Sequence, residues 1–298
     1  ETIGTTFDSY DEAVNLITDV TTFNRYYGWY AYSDTNARYT DPLNQRLNGF
    51  STYLNQLDAA QPNRPLGMGE YGAGANINHH TNNPAGAAPA SNPNNNTGAQ
   101  QPEEYQSYLH EQTYQRYQAS DASFGVFLWE FSDSGNDKRN EGGLPGLNTK
   151  GLTTYDRKFA KDAYYYYKAQ WSSSPVLYLT SKRFTERTDA STFVKVYSNL
   201  GANVELFING QSLGNRNDGD RVLEWNNVTL SGGANTIEVR STVNGKTYTD
   251  TATWTLNASG GGLKAQSLAT TAAAASLAPA SKSSATKDLF SESELAIV

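Results

Sequence analysis

The chain has 298 residues, 37% of them apolar, which is enough for one large or two ordinary cores and excludes a disordered protein. Its formal charge of −7, with no run of Lys and Arg to override it, argues against a nucleic-acid partner. The absence of cysteine removes disulfides, thiolate nucleophiles and cysteine-ligated zinc, and no apolar stretch approaches the roughly 20 residues of a membrane span.

In chain order, Glu1 opens the sequence without a signal-peptide pattern, as expected of a cut piece or mature fragment. The compartment stays undecided, with periplasm or secretion favoured over cytoplasm. "DVTTFNRYYGWY" (Asp19 to Tyr30) begins as a strand. Leu43, Leu47, Phe50, Leu54 and Leu57 recur at helical spacing behind Asp41-Pro42, a cap followed by a favourable first helical residue. "RPLGMGEYG" (Arg64 to Gly72) reads as a second strand. The Asn, Gly and Pro content from Tyr71 to Gln101 predicts a mobile loop rather than a packed element. Gln101 to Gln118 reads as a helix, with a proline and two acids in its first turn. "ASFGVFLWEF" (Ala122 to Phe131) is a third strand, followed by a loop and a helix from Arg157 to Trp171.

Alternating βα units imply a parallel sheet, either doubly wound or part of a (β/α)8 barrel, and three units cannot close a barrel of eight strands. After "SSSP" (Ser172 to Pro175) the pattern changes to short alternating runs separated by turns, including Asn209-Gly210 and Asn244-Gly245. This predicts an immunoglobulin-like β-sandwich. The expected division is therefore 1–173 for the βα part, 174–257 for the sandwich and 258–298 for a flexible Ala/Ser-rich tail.

"PLGMGEYGAGAN" (Pro65 to Asn76) carries both a glycine pattern and a carboxylate. Gly67, Gly69 and Gly72 match G-x-G-x-x-G, but Gly72 opens a loop rather than a helix and no acid follows until Glu103, so a dinucleotide site fails on context. "GQSLG" (Gly210 to Gly214) matches a nucleophile elbow, yet Ser212 falls in a predicted hairpin with no helix after it. His79, His80 and His110 have no carboxylate at ligand spacing, so a catalytic metal is not expected. Glu70 differs: at the C-terminal end of a parallel strand it sits where barrel enzymes build their sites. Neighbouring strand ends bring tyrosines, Trp129 and Glu130 to the same mouth, and aromatic rings beside a carboxylate suit a sugar.

The stretches "FNRYYGWY" (Phe23 to Tyr30), "GEYGAG" (Gly69 to Gly74), "PEEYQSYLHE" (Pro102 to Glu111), "FLWEFSD" (Phe127 to Asp133) and the run from Arg139 to Ser172 resemble glycoside hydrolase family 2, which includes β-galactosidases, β-glucuronidases and β-mannosidases. The resemblance implies the C-terminal part of a (β/α)8 TIM barrel, about strands six to eight, and a retaining exo-β-glycosidase without cofactor or metal. It implies Glu70 as nucleophile and Tyr26 as its hydrogen-bond donor, with Asn24, Tyr30, Trp129, Asn148 and Lys150 as substrate-binding residues. The family's acid/base glutamate lies outside this chain, and Glu130 and Glu141 do not match its position. The expectation is a β-galactosidase fragment that is inactive alone, its partners being a carbohydrate substrate and the missing N-terminal part, with a homo-oligomer compatible with the sequence but not read from it. β-Glucuronidase, with Lys150 on the uronate carboxylate, is the enzymatic alternative. A binding module using Trp225 or Trp254, or a purely structural module, is the non-enzymatic one.

Overall fold

The computed structural model describes residues 19–24, 26–28, 43–86, 100–121, 123–217 and 219–257, and the molecule is mostly β with few helices. The Asp41-Pro42 cap, the expected tail and most of the second half of the loop before Gln101 lie outside these residues. Strands β1 (Thr21–Asn24), β2 (Leu66–Glu70) and β3 (Ser123–Val126) lie parallel with β2 in the centre. Helix α1 (Leu43–Ala60) connects the first pair and α2 (Glu103–Gln118) lies between the second. Leu47, Phe50, Leu54 and Leu57 fall on one buried stripe of α1, while Asn48, Asn55 and Gln56 face solvent. Phe50, Leu54 and Leu57 share a core with Phe23, Leu66 and Met68 of the sheet.

Beyond β3 the parallel pairing continues irregularly. Phe127 N–H donates to Met68 O at 2.8 Å and Trp129 N–H to Tyr71 O at 3.0 Å. Glu130 to Asp133 then pair with Lys150 to Thr153, through Leu152 N to Glu130 O at 2.9 Å and Asp133 N to Thr153 O at 2.9 Å. Between these partners the expected loop is a hairpin, β4 (Ser134–Glu141) and β5 (Leu144–Asn148). Gly142 and Gly143 turn it at φ +57° and +75°, a region closed to most side chains.

Helix α3 (Asp162–Trp171) begins later than the expected Arg157. Arg157 has φ +57°, Ala160 bridges to Thr153, and Lys161 is extended with its N–H on Leu152 O at 2.8 Å. The backbone groups that would start a helix are thus committed to the neighbouring segment. The expected mobile loop is also corrected in its first part: Tyr71 to Asn76 are buried, and Ala75 N donates to Thr149 O at 2.9 Å and Asn76 N to Gln101 O at 2.9 Å.

The C-terminal part is two facing sheets. One runs β10 (Gln211–Arg216), β9 (Val204–Ile208), β12 (Gly233–Val243), β13 (Lys246–Leu256) and β7 (Glu186–Arg187); the other runs β11 (Val222–Thr229), β8 (Ser191–Ser198) and β6 (Leu177–Leu179). Val194, Val196, Leu223 and Trp225 from one meet Val204, Leu206, Val239 and Trp254 from the other in a single core. Asn209-Gly210 and Asn244-Gly245 are positive in φ at both positions, which matches the twist of a tight hairpin. Trp225 and Trp254 are 4% and 1% exposed, so neither offers the stacking surface that the binding-module alternative requires. The sheets dock on the helices through buried charge: Lys195 Nζ lies 2.7 Å from Glu111 Oε2, Tyr178 Oη donates to Asp162 Oδ1 at 2.8 Å, and Arg183 pairs with Glu103.

Candidate active site

A slip in register aims Glu70. Phe23 pairs with Met68 but Asn24 pairs with Glu70, leaving Gly69 as an extra residue. Such a bulge re-aims the next side chain, here onto the side of Asn24 and away from the α1 face that takes Leu66 and Met68. A Cβ at Gly69 would stand 2.6 Å from Asn24 Oδ1, so the crowded bulge needs glycine. Tyr26, two residues beyond β1, donates its hydroxyl to Glu70 Oε2 at 2.6 Å. The phenol is raised far above its ordinary pKa, first by burial, then by the bond to Glu70 and the charges of Glu70 and Glu130, with Arg139 opposing. Tyr26 is therefore a permanent donor that fixes one carboxylate oxygen. Tyr26→Phe in a complete enzyme is expected to lower kcat roughly 10- to 100-fold, the worth of a hydrogen bond to a charged group, with an unchanged thermal midpoint. Steady-state kinetics showing less than about a twofold change would remove Tyr26 from the site.

Trp129 and Glu130 arrive on the adjacent segment, joined by a cis peptide bond. The Trp129 ring is 37% exposed at the mouth, and a Cβ at Gly72 would lie 2.4 Å from the Trp129 carbonyl, so Gly72 lets the two segments touch. Glu130 accepts Ser134 Oγ at 2.7 Å. Burial raises the Glu130 pKa, with the Ser134 bond and the charge of Lys150 working against it.

Asn148 and Lys150 lie at the end of the hairpin, already paired. Lys150 Nζ donates to Glu141 Oε1 at 3.0 Å, Glu141 Oε2 at 3.3 Å and Asn148 Oδ1 at 3.0 Å, and its side chain is 1% exposed. Burial lowers the Lys150 pKa to about 8, opposed chiefly by the charge of Glu141. Glu141 also accepts Arg139 and the Thr149 N–H at 3.1 Å. The structure thus brings Asn24, Tyr26 and Glu70 together and sets the Trp129 backbone against the Tyr71-Gly72 segment that follows Glu70, with Asn148 and Lys150 in a charged cluster next to Glu130. Tyr30 lies outside the described residues.

The three histidines do other work. His110 is buried, its pKa driven down to about 3 by burial, and its Nδ1 lies 2.9 Å from Tyr167 Oη. His79 Nδ1 accepts the Gln101 N–H and His80 pairs with Glu104. Among the described residues no group of three or more His, Asp or Glu could hold a metal. Ser212 lies on β10, which continues as strand, and donates to Glu205. Sequence reasoning missed Arg139 and Ser134 as members of the site. The Gly142-Gly143 pair was the one available signal that their segment folds as a hairpin.

Comparison with known proteins bears on this constellation. The chain is 33% identical over 251 residues to a β-glucuronidase of Bacteroides fragilis, matching 84% of this chain and 33% of that protein. The chain is a homologue of these glycosidases. It spans about a third of the length of that glucuronidase. A solved Bacteroides fragilis structure provisionally assigned as a β-galactosidase superposes on this glycosidase homologue with a TM-score of 0.70 at 32% identity, covering 83% of this chain and 34% of its own. The structure of Bacteroides uniformis β-glucuronidase 2, covalently bound to cyclophellitol-6-carboxylate aziridine, superposes with a TM-score of 0.62 at 27% identity, covering 82% of this chain and 27% of its own. Residues 189–249 of the homologue match a domain of unknown function, DUF4982.

Proposed function

We propose that this chain carries the nucleophile side of a retaining exo-β-glycosidase acting on terminal β-galactosides. In this reading residues 1–173 are the last three βα units of a (β/α)8 barrel, 174–257 an immunoglobulin-like domain that buttresses it, and 258–298 a flexible tail. The observation that carries the reading is the 2.6 Å bond from Tyr26 to Glu70 at the C-terminal end of the central strand. Glu70 attacks the anomeric carbon, the bond to the leaving oxygen breaks, and a glycosyl-enzyme forms that water then hydrolyses. Protonation of the leaving oxygen requires a second carboxyl group about 5 to 5.5 Å from the first. We assign it to the part of the enzyme that the relatives possess beyond the matched third, so the chain alone is inactive. Trp129 forms the apolar floor under the sugar, and Asn24, Tyr30, Asn148 and Lys150 complete its pocket.

Covalent attachment of cyclophellitol-6-carboxylate aziridine to a homologous glucuronidase supports a nucleophile in that enzyme's site. The names of the curated relatives favour a second reading, in which the sugar is a glucuronide and Lys150 takes its carboxylate. Both readings retain configuration. Proton NMR of early hydrolysis by a complete enzyme carrying this chain is expected to show the β-hemiacetal first, mutarotating later. The α-anomer first would mean inversion, and Glu70 would lose its role as nucleophile.

A further inference from the structure

We propose that Tyr167 and His110 are positioning residues for the nucleophile: acting through Tyr71, they pin the bulge that turns Glu70 onto the Tyr26 side of the sheet. This rests on the reading of Glu70 as nucleophile and adds a second hold on it, from the helix layer.

Leu66 and Met68 face the helices, and a regular strand would send Glu70 the same way. The extra residue at Gly69 reverses the alternation. Glu70 meets Tyr26, and Tyr71 enters the core that holds Leu66 and Met68. Neighbouring side chains on an extended segment lie on opposite faces, so whatever fixes Tyr71 beneath the segment also fixes the roll of Glu70 above it. Loss of the bulge would exchange the two, sending the carboxylate into an apolar core.

A run of buried polar atoms holds Tyr71 in place. Its Oη lies 2.5 Å from Tyr167 Oη on α3, which in turn lies 2.9 Å from His110 Nδ1 on α2. The His110 ring packs against both phenols, with centroids 5.5 Å from Tyr71 and 5.4 Å from Tyr167. All three residues are 2% exposed or less. Burial keeps both phenols protonated and, with the charge of Lys161 adding to it, keeps the imidazole neutral. Donation from Tyr71 to Tyr167 and from Tyr167 to His110 Nδ1 uses each hydroxyl proton once, whereas the reverse direction leaves the Tyr71 proton without an acceptor. Phenylalanine at position 71 would fill the same core; the hydroxyl adds a fixed depth and direction, tied to two helices at once. None of the three touches a reacting atom, and each acts through Glu70.

Tyr167→Phe keeps the ring and removes only the bridging oxygen. In a complete enzyme carrying this chain, the rate of inactivation by the 2-deoxy-2-fluoro glycosyl fluoride of the sugar that wild type hydrolyses reads attack by the nucleophile, because fluoride leaves without protonation. That rate and kcat should both fall about tenfold or more in Tyr167→Phe, with KM within about twofold of wild type. Tyr71→Phe breaks the same run and should behave alike, and the double variant should be no worse than the worse single one. His110→Asn, which keeps an acceptor near Nδ1, should lose less rate than His110→Leu. A merely structural role would lower the thermal midpoint and leave kcat and the inactivation rate within about twofold of wild type, and that result overturns the proposal. So does a double variant in which the two losses multiply. Should Tyr167→Phe fail to fold, Tyr71→Phe carries the test, since it leaves Tyr167 on His110. Failure of the underlying reading looks different: the wild-type label would sit on a residue other than Glu70, whereas label on Glu70 with unchanged rates in the variants removes the network alone.

Discussion

Glu70→Gln is expected to reduce kcat/KM of the complete enzyme on an activated β-galactoside by about 10⁴-fold or more, with little change in thermal midpoint. The amide keeps the shape and can still accept from Tyr26, so folding is preserved, but it cannot attack the anomeric carbon or leave as a carboxylate. In the proposed role its removal also removes the benefit of every group arranged around it, so the loss should exceed that at Tyr26. The bulge at Gly69 sets Glu70 opposite Asn24 at the end of β2. Azide added to the Glu70→Ala variant should restore part of the rate by taking the place of the missing carboxylate. A Glu70→Gln enzyme retaining more than about a tenth of wild-type activity would show that another group performs the displacement.

Lys161→Met is expected to destabilise the chain by about 3–5 kcal/mol, the cost of breaking a buried pair from one side. Lys161 is 0% exposed, and its ammonium donates to Asp133 Oδ1 at 2.7 Å, Ala75 O at 2.9 Å and Thr149 O at 2.9 Å. One side chain thereby ties together the segment after Glu70, the end of the hairpin and the segment after Trp129. Methionine fills the space and satisfies none of the three acceptors. Burial pushes Asp133 up to about 6, while Lys161 pulls the other way. A carboxyl group whose folded pKa lies above its unfolded value favours folding most when protonated, and that contribution fades as pH rises through about 6. Without Lys161 the Asp133 pKa climbs further, so the deficit of the variant should be larger at pH 8 than at pH 5. Urea unfolding at the two pH values measures both quantities. A loss below about 1 kcal/mol, or a deficit that grows on acidification, would contradict this role.

The apolar part of the fold was legible because burial there follows a simple period. Leu47, Phe50, Leu54 and Leu57 mark one stripe of α1, and alternation marks β9, β11, β12 and β13, with Asn-Gly turns after β9 and β12. Glu70 could be singled out because it ends a strand of a parallel βα repeat, where barrel enzymes build their sites, and lies in a stretch that resembles a known family. What stayed hidden is held together by charge. The hairpin strand β4 reads "SGNDKRNE", without apolar alternation, and is organised by Arg139, Glu141 and Lys150 from different positions in the chain. Helix α2 buries Glu103, His110 and Glu111, whose partners Arg183, Tyr167 and Lys195 lie far along the sequence, so its hydrophobic pattern does not reveal which face is inside. The start of α3 was misplaced for the same reason: Lys161 looks like a helical surface residue, and only its three buried acceptors show that the chain is still extended there.

The most direct test of the central claim is covalent. A complete enzyme carrying this chain would be inactivated with 2-deoxy-2-fluoro-β-galactosyl fluoride, digested, and the modified peptide sequenced by mass spectrometry. A single fluoroglycosyl adduct is expected on Glu70, in the peptide containing "GEYGAG", and none on the Glu70→Gln protein. An adduct on Glu130, Glu141 or any other residue, with Glu70 unmodified, would contradict it.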